Sequence, residues 1–374
     1  MFRLRVVQAE HGDCLILEYG TASHPRYILV DGGPDTVYPQ HLRGELLAIA
    51  AAGGKLDVAI LSHVDDDHIV GLLGLLAEMD QRRSAGKSGP IAVDKIWHNT
   101  FSQTLSPEVE RRFAMVMRAV GTPRGAKSRS AVAQRSISQG DELTRQAHDV
   151  DIPINPGFAP DRLVCADDAP DSLGDLANLA IRLVGPTTKS LAKLEKQWLA
   201  WLKEHEPRLR AARGPAAAAA AQKADQSVPN LSSIMLLAEA DGKTILFTGD
   251  GRWDHLLQGL RQAKLLAPGG TLHVNILKMP HHGSRRNVTR RFLQTVTADT
   301  YLISANGRDG NPDPETLQWI VEAAKEEERA IEIVVTNETD STRDLLEGYK
   351  PSEYGYTLKA LEPGKHAMVL ELAG

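Results

Sequence analysis

Short runs rich in Val, Ile, Leu and Tyr, separated by turn residues, predict β-strands over residues 2–9, 13–19 and 26–31. Leu42, Leu46, Leu47 and Ile49 then recur at helical spacing and predict a helix over 39–52, ended by Gly53-Gly54. The unbroken apolar run at 56–62 predicts a buried strand, and 69–79 returns to helix. A strand–loop–helix junction is therefore expected near residue 65. The second half repeats this style. Strands are predicted at 233–240, 243–249, 273–279, 300–305 and 331–336, alternating with helices at 253–265, 287–297 and 314–328. The segments 355–361 and 366–372 are expected to form a hairpin. Two β-rich halves with outer helices predict an α/β fold of two sheets flanked by helices.

The region 80–228 is less regular. Residues 189–213 predict a long amphipathic helix, with Leu191, Leu194, Trp198, Trp201 and Leu202 on one side. An Ala-rich stretch at about 211–228 has no amphipathic pattern to dock it. It is expected to be an exposed connection or a solvent-facing helical extension. The whole chain is accordingly expected to be one domain, 1–374, carrying an insertion at about 80–228.

Composition narrows the class. The 374 residues are 42% apolar and 24% charged, the balance of a globular protein. No apolar run is long enough to span a membrane, and the first residues lack a leader-like apolar core, so the cytoplasm is the expected compartment. Two cysteines are too few for a disulfide scaffold. A net charge of -5 excludes a globally basic nucleic-acid coat but not a local basic groove.

The densest chemistry is Ser62-His63-Val64-Asp65-Asp66-Asp67-His68, two histidines and three carboxylates just after a predicted strand. Imidazole nitrogens and carboxylate oxygens are ligands for divalent transition metals. Alternate side chains of such a loop can converge, with His63 and Asp65 toward one ion and Asp67 and His68 toward a second. A polar loop with Asp67 capping the next helix explains one aspartate but not two flanking histidines.

These residues, with three further motifs, resemble the metallo-β-lactamase superfamily. His63-x-Asp65-x-Asp67-His68 is similar to its His-x-His-x-Asp-His motif, with Asp65 in place of the second histidine. Asp31-Gly32-Gly33 resembles its upstream aspartate, and Thr248-Gly249-Asp250 its bridging aspartate. Pro280-His281-His282-Gly283-Ser284 and the turn at His11-Gly12-Asp13 resemble the nuclease-like domain of ComEC, the DNA-uptake channel. The resemblance implies an αββα sandwich of two mixed sheets holding two divalent cations, Zn²⁺ or Mn²⁺ with Mg²⁺ as an alternative. It implies His63, Asp65, Asp67, His68, Asp250 and His282 as ligands, with Asp250 reaching both ions. His281 is then a proton donor or lies behind the ligands, and Asp65 or Asp67 orients the water. Two positions depart from the superfamily pattern: Asn230 and Asn311 stand where many members carry histidine. Asn230, Asn311 and Asp31 are therefore candidates for direct or supporting contacts. An oxygen-rich first site shifts preference from Zn²⁺ toward Mn²⁺ or Mg²⁺.

Substrate class follows from charge and resemblance together. Lys278, Arg285, Arg286, Arg290 and Arg291 surround the histidine pair with no acid in 278–291, and 111–140 adds seven basic residues. Lys278, Arg285 and Arg286 are candidate phosphate contacts. The leading expectation is a phosphodiesterase acting on DNA through a metal-activated hydroxide. The resemblance also implies a role in a bacterial defence module; the connector at 205–228 is then a place for a protein partner or regulatory protease to act, with an ordinary tolerated insertion as the preferred reading. A small-molecule ester, lactone or phosphoester hydrolase is the second expectation, and a binding protein that keeps the fold without catalysis the third.

Overall fold

The computed structural model describes residues 1–100, 129–158, 163–170, 176–193 and 232–373, with isolated positions between them. The strands of the described residues form two sheets. In the first, β1 (Phe2–Val7), β2 (Leu15–Thr21) and β3 (His24–Val30) pair antiparallel, while β4 (Leu56–Ile60) and β5 (Ile96–Trp97) continue in parallel. In the second, β6 (Ala180–Gly185), β7 (Met235–Ala240) and β8 (Lys243–Phe247) pair antiparallel. Parallel strands β9 (Leu272–Lys278), β10 (Val296–Ile303), β11 (Ile331–Val335) and β12 (Tyr356–Ala360) complete it.

Burial separates four layers. Phe2, Leu4, Val6, Ile28 and Ile60 of the first sheet pack against Leu236, Phe247, Ile276 and Leu302 of the second in one apolar cluster. The opposite face of the first sheet, with Ile16, Leu29 and Ala59, packs on α1 (Arg43–Ala51) and α2 (Asp66–Ser84). The outer face of the second sheet packs on α4 (Trp253–Gln262), α5 (Arg290–Thr295) and α6 (Pro314–Glu326). This is the expected αββα order, two sheets packed face to face and covered outside.

Three expectations need correction. The segments near 355–361 and 366–372 are strands but not a hairpin. Strand β12 pairs with β11, whereas β13 (Ala367–Ala373) pairs antiparallel with β1 in the other sheet. Tyr356 belongs to the outer cluster of the second sheet and Leu370 to the inter-sheet core, so burial pulls the two strands apart. The helix expected over 287–297 is only Arg290–Thr295, capped by the Thr289 hydroxyl, because Val296 already pairs with Leu272. The region 80–228 is not simply an insertion. It supplies β5, β6 and α3 (Arg129–Asp149), whose Leu143 and Ala147 are fully buried beside α2. The Ala-rich stretch, Asn230, Trp198, Trp201 and the basic side chains of 111–135 lie outside the described residues.

Candidate metal centre

The strand ends at one rim carry the polar residues. Just past β3, Asp31 accepts from the Ser62 N–H at 2.6 Å and the Ser62 hydroxyl at 2.7 Å. Its other neighbour is His68, with Nδ1 2.9 Å from Asp31 Oδ2. Gly32 permits this approach: a Cβ there would lie 2.4 Å from the Leu72 backbone nitrogen, and one on Gly71 would lie 1.8 Å from the Gly32 oxygen. The two glycines bring helix α2 against the strand end and set His68 over Asp31. Asp31 thus braces His68 from behind.

The loop after β4 turns into α2 at Asp65, the extended N-cap residue, whose side chain makes no capping bond. Asp67 is therefore not the cap, and the capping alternative fails. After β8, Asp250 sits 2% exposed ahead of α4, whose N-cap is Arg252. Asp250 does not cap that helix either.

After β9, His281 and His282 occupy the left-handed region at φ 47° and 55°. This backbone costs about 1–2 kcal/mol per non-glycine residue and turns the two rings nearly perpendicular, at 89°. Each faces a different oxygen of Asp250. His281 Nε2 lies 3.6 Å from Oδ2, and His282 Nε2 lies 3.5 Å from Oδ1.

Asp250 thereby divides the centre into two sets. Its Oδ2 is 3.6 Å from His63 Nε2, which is 3.5 Å from Asp65 Oδ2. Its Oδ1 is 3.4 Å from His68 Nε2, while Asp67 Oδ2 is 3.3 Å from His282 Nε2. The buried atoms His63 Nε2, His68 Nε2, His282 Nε2 and Asp250 Oδ1 have no hydrogen-bond partner. Buried polar atoms are normally paired, so this convergence of unpaired lone pairs fits divalent cations. Asp13, His68, Asp250 and His282 also bring ligand atoms within 4.8 Å of one another.

Electrostatics agree with a cation site. Burial disfavours charge on Asp250, yet the surrounding imidazoles, His281 foremost, hold its carboxyl well below the usual carboxylate range. Burial likewise opposes the charge on His282, but Asp250 and Asp13 outweigh it and push its pKa up to about 10. His68 is pushed up against the same burial by Asp250, Asp67 and Asp31. His281 moves the other way, because its burial outweighs the carboxylates.

Other candidates stand differently. Lys278 is 1% exposed, bonded to Asp13 and 3.3 Å from the Gly249 carbonyl. It cannot be a solvent-side phosphate contact. Arg285 is exposed but pairs with Glu315 at 2.6 Å, and Arg290 pairs with Glu326 at 2.5 Å. Arg286 is exposed. The Asn311 amide donates to the His281 carbonyl at 3.5 Å and so braces the histidine turn. Asp13 enters the sequence pattern only through the turn at His11-Gly12-Asp13. Its signal was a charged residue directly before the apolar run Cys14–Leu17.

Residues 13–82 match the family model described as the Metallo-beta-lactamase superfamily. Over that stretch the chain is similar to the metallo-β-lactamase superfamily. The matched stretch holds Asp13, Asp31, His63, Asp65, Asp67 and His68 and ends before Asp250 and His282. Among solved structures, Zn²⁺-bound PqqB from Methylobacterium extorquens is similar at 10% identity and a TM-score of 0.38, covering 99% of this chain and 100% of that one. No curated protein matches the chain. No helix among the described residues is long and apolar enough to cross a membrane.

Proposed function

We propose that the protein is a metal-dependent hydrolase that cleaves phosphodiesters. DNA is the substrate class its motif resemblance implies. The observation that carries the reading is Asp250, a buried carboxylate whose two oxygens face two separate ligand sets. Divalent cations held there would supply Lewis acidity and bring the pKa of water toward neutrality, the chemistry of paired-cation hydrolysis.

The chain supplies the rest. His63, Asp65, His281 and Asp250 Oδ2 form one set, and Asp67, His68, His282 and Asp250 Oδ1 the other. In this assignment His281 is a ligand and replaces the histidine the chain lacks before β7. The carboxylate share favours harder cations such as Mn²⁺. Asp65 and Asp67, 22% and 24% exposed, stand at the open side and orient the attacking water. Ser62 is 2% exposed with its hydroxyl donated to Asp31, so it offers no nucleophile and water remains the attacking species.

A second reading, a small phosphoester as substrate, is favoured by one observation. Arg285 and Arg290 are held by Glu315 and Glu326 instead of lining a free phosphate track. The test incubates the protein in Mn²⁺ with linear DNA, circular DNA and bis-p-nitrophenyl phosphate, alongside Asp67→Ala. Loss of DNA cleavage in the variant supports the nuclease. Cleavage of the small ester alone supports the second reading. No hydrolysis of any of these substrates in Mn²⁺, Mg²⁺ or Zn²⁺ refutes both.

A further inference from the structure

One buried ion pair beneath the centre belongs to neither ligand set. Asp13 and Lys278 are each 1% exposed and bonded to each other. Lys278 ends strand β9 between apolar Leu277 and Met279, where the fold would be served by another apolar residue. Replacing a buried ion pair by apolar residues is often neutral or stabilising, so fold stability alone gives little reason for these charges.

Their placement gives one. Asp13 Oδ1 has no hydrogen-bond partner and lies 3.5 Å from His282 Nδ1, while Asp13 Oδ2 lies 3.9 Å from His68 Nδ1. These are the back edges of the two imidazoles whose Nε2 atoms face Asp250 Oδ1. Each Nδ1 already has an anchor, Asp31 for His68 at 2.9 Å and the Ser304 carbonyl for His282 at 2.8 Å. The turn that carries Asp13 is fixed to the same loop: the Asp13 N–H donates to the Asp67 carbonyl at 3.2 Å. A Cβ on Gly12 would lie 1.9 Å from that carbonyl oxygen.

We propose that Asp13, clamped by Lys278, is a positioning residue for the second ligand set. Its carboxylate polarises the Nδ1–H groups of His68 and His282 together and strengthens both Nε2 lone pairs toward a cation. Carboxylates behind ligating histidines act in this way. Lys278 fixes Asp13 and keeps it from swinging into the centre. The proposal rests on reading the two ligand sets as a metal centre.

The test uses the full chain, stripped by chelator, as wild type, Asp13→Asn, Lys278→Met and the double variant. Co²⁺ and Zn²⁺ titrations against a competing chelator are read with the Co²⁺ visible spectrum, circular dichroism and thermal melting. Asp13→Asn is expected to keep the first equivalent, weaken the second about 10–100-fold and alter its Co²⁺ bands. The double variant leaves no lone buried charge. It is expected to melt near wild type while its second equivalent stays weak. A double variant that binds two equivalents at wild-type affinity, with unchanged bands, overturns the proposal and leaves the pair a purely structural role. Wild type that takes up no cation overturns the metal-centre reading itself, a separate outcome.

Discussion

Replacing Asp250 by Asn removes one charge while keeping the side chain's shape. The carboxylate lies 3.4–3.6 Å from four imidazole nitrogens, on His63, His68, His281 and His282. At an effective dielectric of about 20, a unit charge pair at that separation is worth roughly 5 kcal/mol. Partial compensation by water and by the amide oxygen reduces this to about 4 kcal/mol, close to a thousandfold in a dissociation constant. Asp250→Asn is therefore expected to lose about three decades of affinity for divalent cations. The assay is titration of chelator-stripped protein with Mn²⁺ or Zn²⁺ against a fluorescent competitor, with elemental analysis after dialysis. Circular dichroism checks the fold. Wild type should retain two equivalents and the variant fewer than one. A folded variant that retains two equivalents at wild-type affinity refutes the bridging role.

Cation binding should also depend on pH. His282, raised to about 10, and His68, also raised, must each release a proton to bind a cation, so affinity is expected to rise between pH 6 and 9 by up to about tenfold per unit for each proton displaced. An affinity flat with pH, followed by competition titration, contradicts this. In the stripped protein the His282 pairing stabilises the fold fully below the ordinary histidine pKa of 6.5 and is lost as pH rises through about 10, which thermal melting across that window reads. Gly71→Ala forces a Cβ to within 1.8 Å of the Gly32 oxygen and is expected to destabilise the fold by about 2–3 kcal/mol, measured by denaturant unfolding. Arg285→Ala should leave KM for bis-p-nitrophenyl phosphate unchanged, because Glu315 already occupies that guanidinium; a severalfold rise contradicts this.

Much of the convergence of these side chains was legible because they cluster in sequence at strand ends. His63 to His68 fall at one strand-to-helix junction, Asp31 follows an apolar run directly, and Asp250 comes three residues after another. What escaped depended on partners distant in the chain. Lys278 looked like a free cation because residues 278–291 hold no acid, but its partner Asp13 comes from the β1–β2 turn. Arg285 and Arg290 find their carboxylates on and before α6, at Asp313, Glu315 and Glu326. The C-terminal strands misled for a related reason. Their apolar pattern suits a hairpin or two separate sheets equally well, and only the burial of Tyr356 and Leu370 in different clusters decides between them.

The claim on which the rest depends is that Asp250 stands between two cations. The direct measurement is anomalous diffraction from crystals grown in Mn²⁺ or Zn²⁺, with data on both sides of the metal's absorption edge. Two peaks are expected flanking Asp250, one among His63, Asp65 and His281 and the other among Asp67, His68 and His282. A map with no peak at this rim, or with metal only elsewhere on the molecule, contradicts that claim.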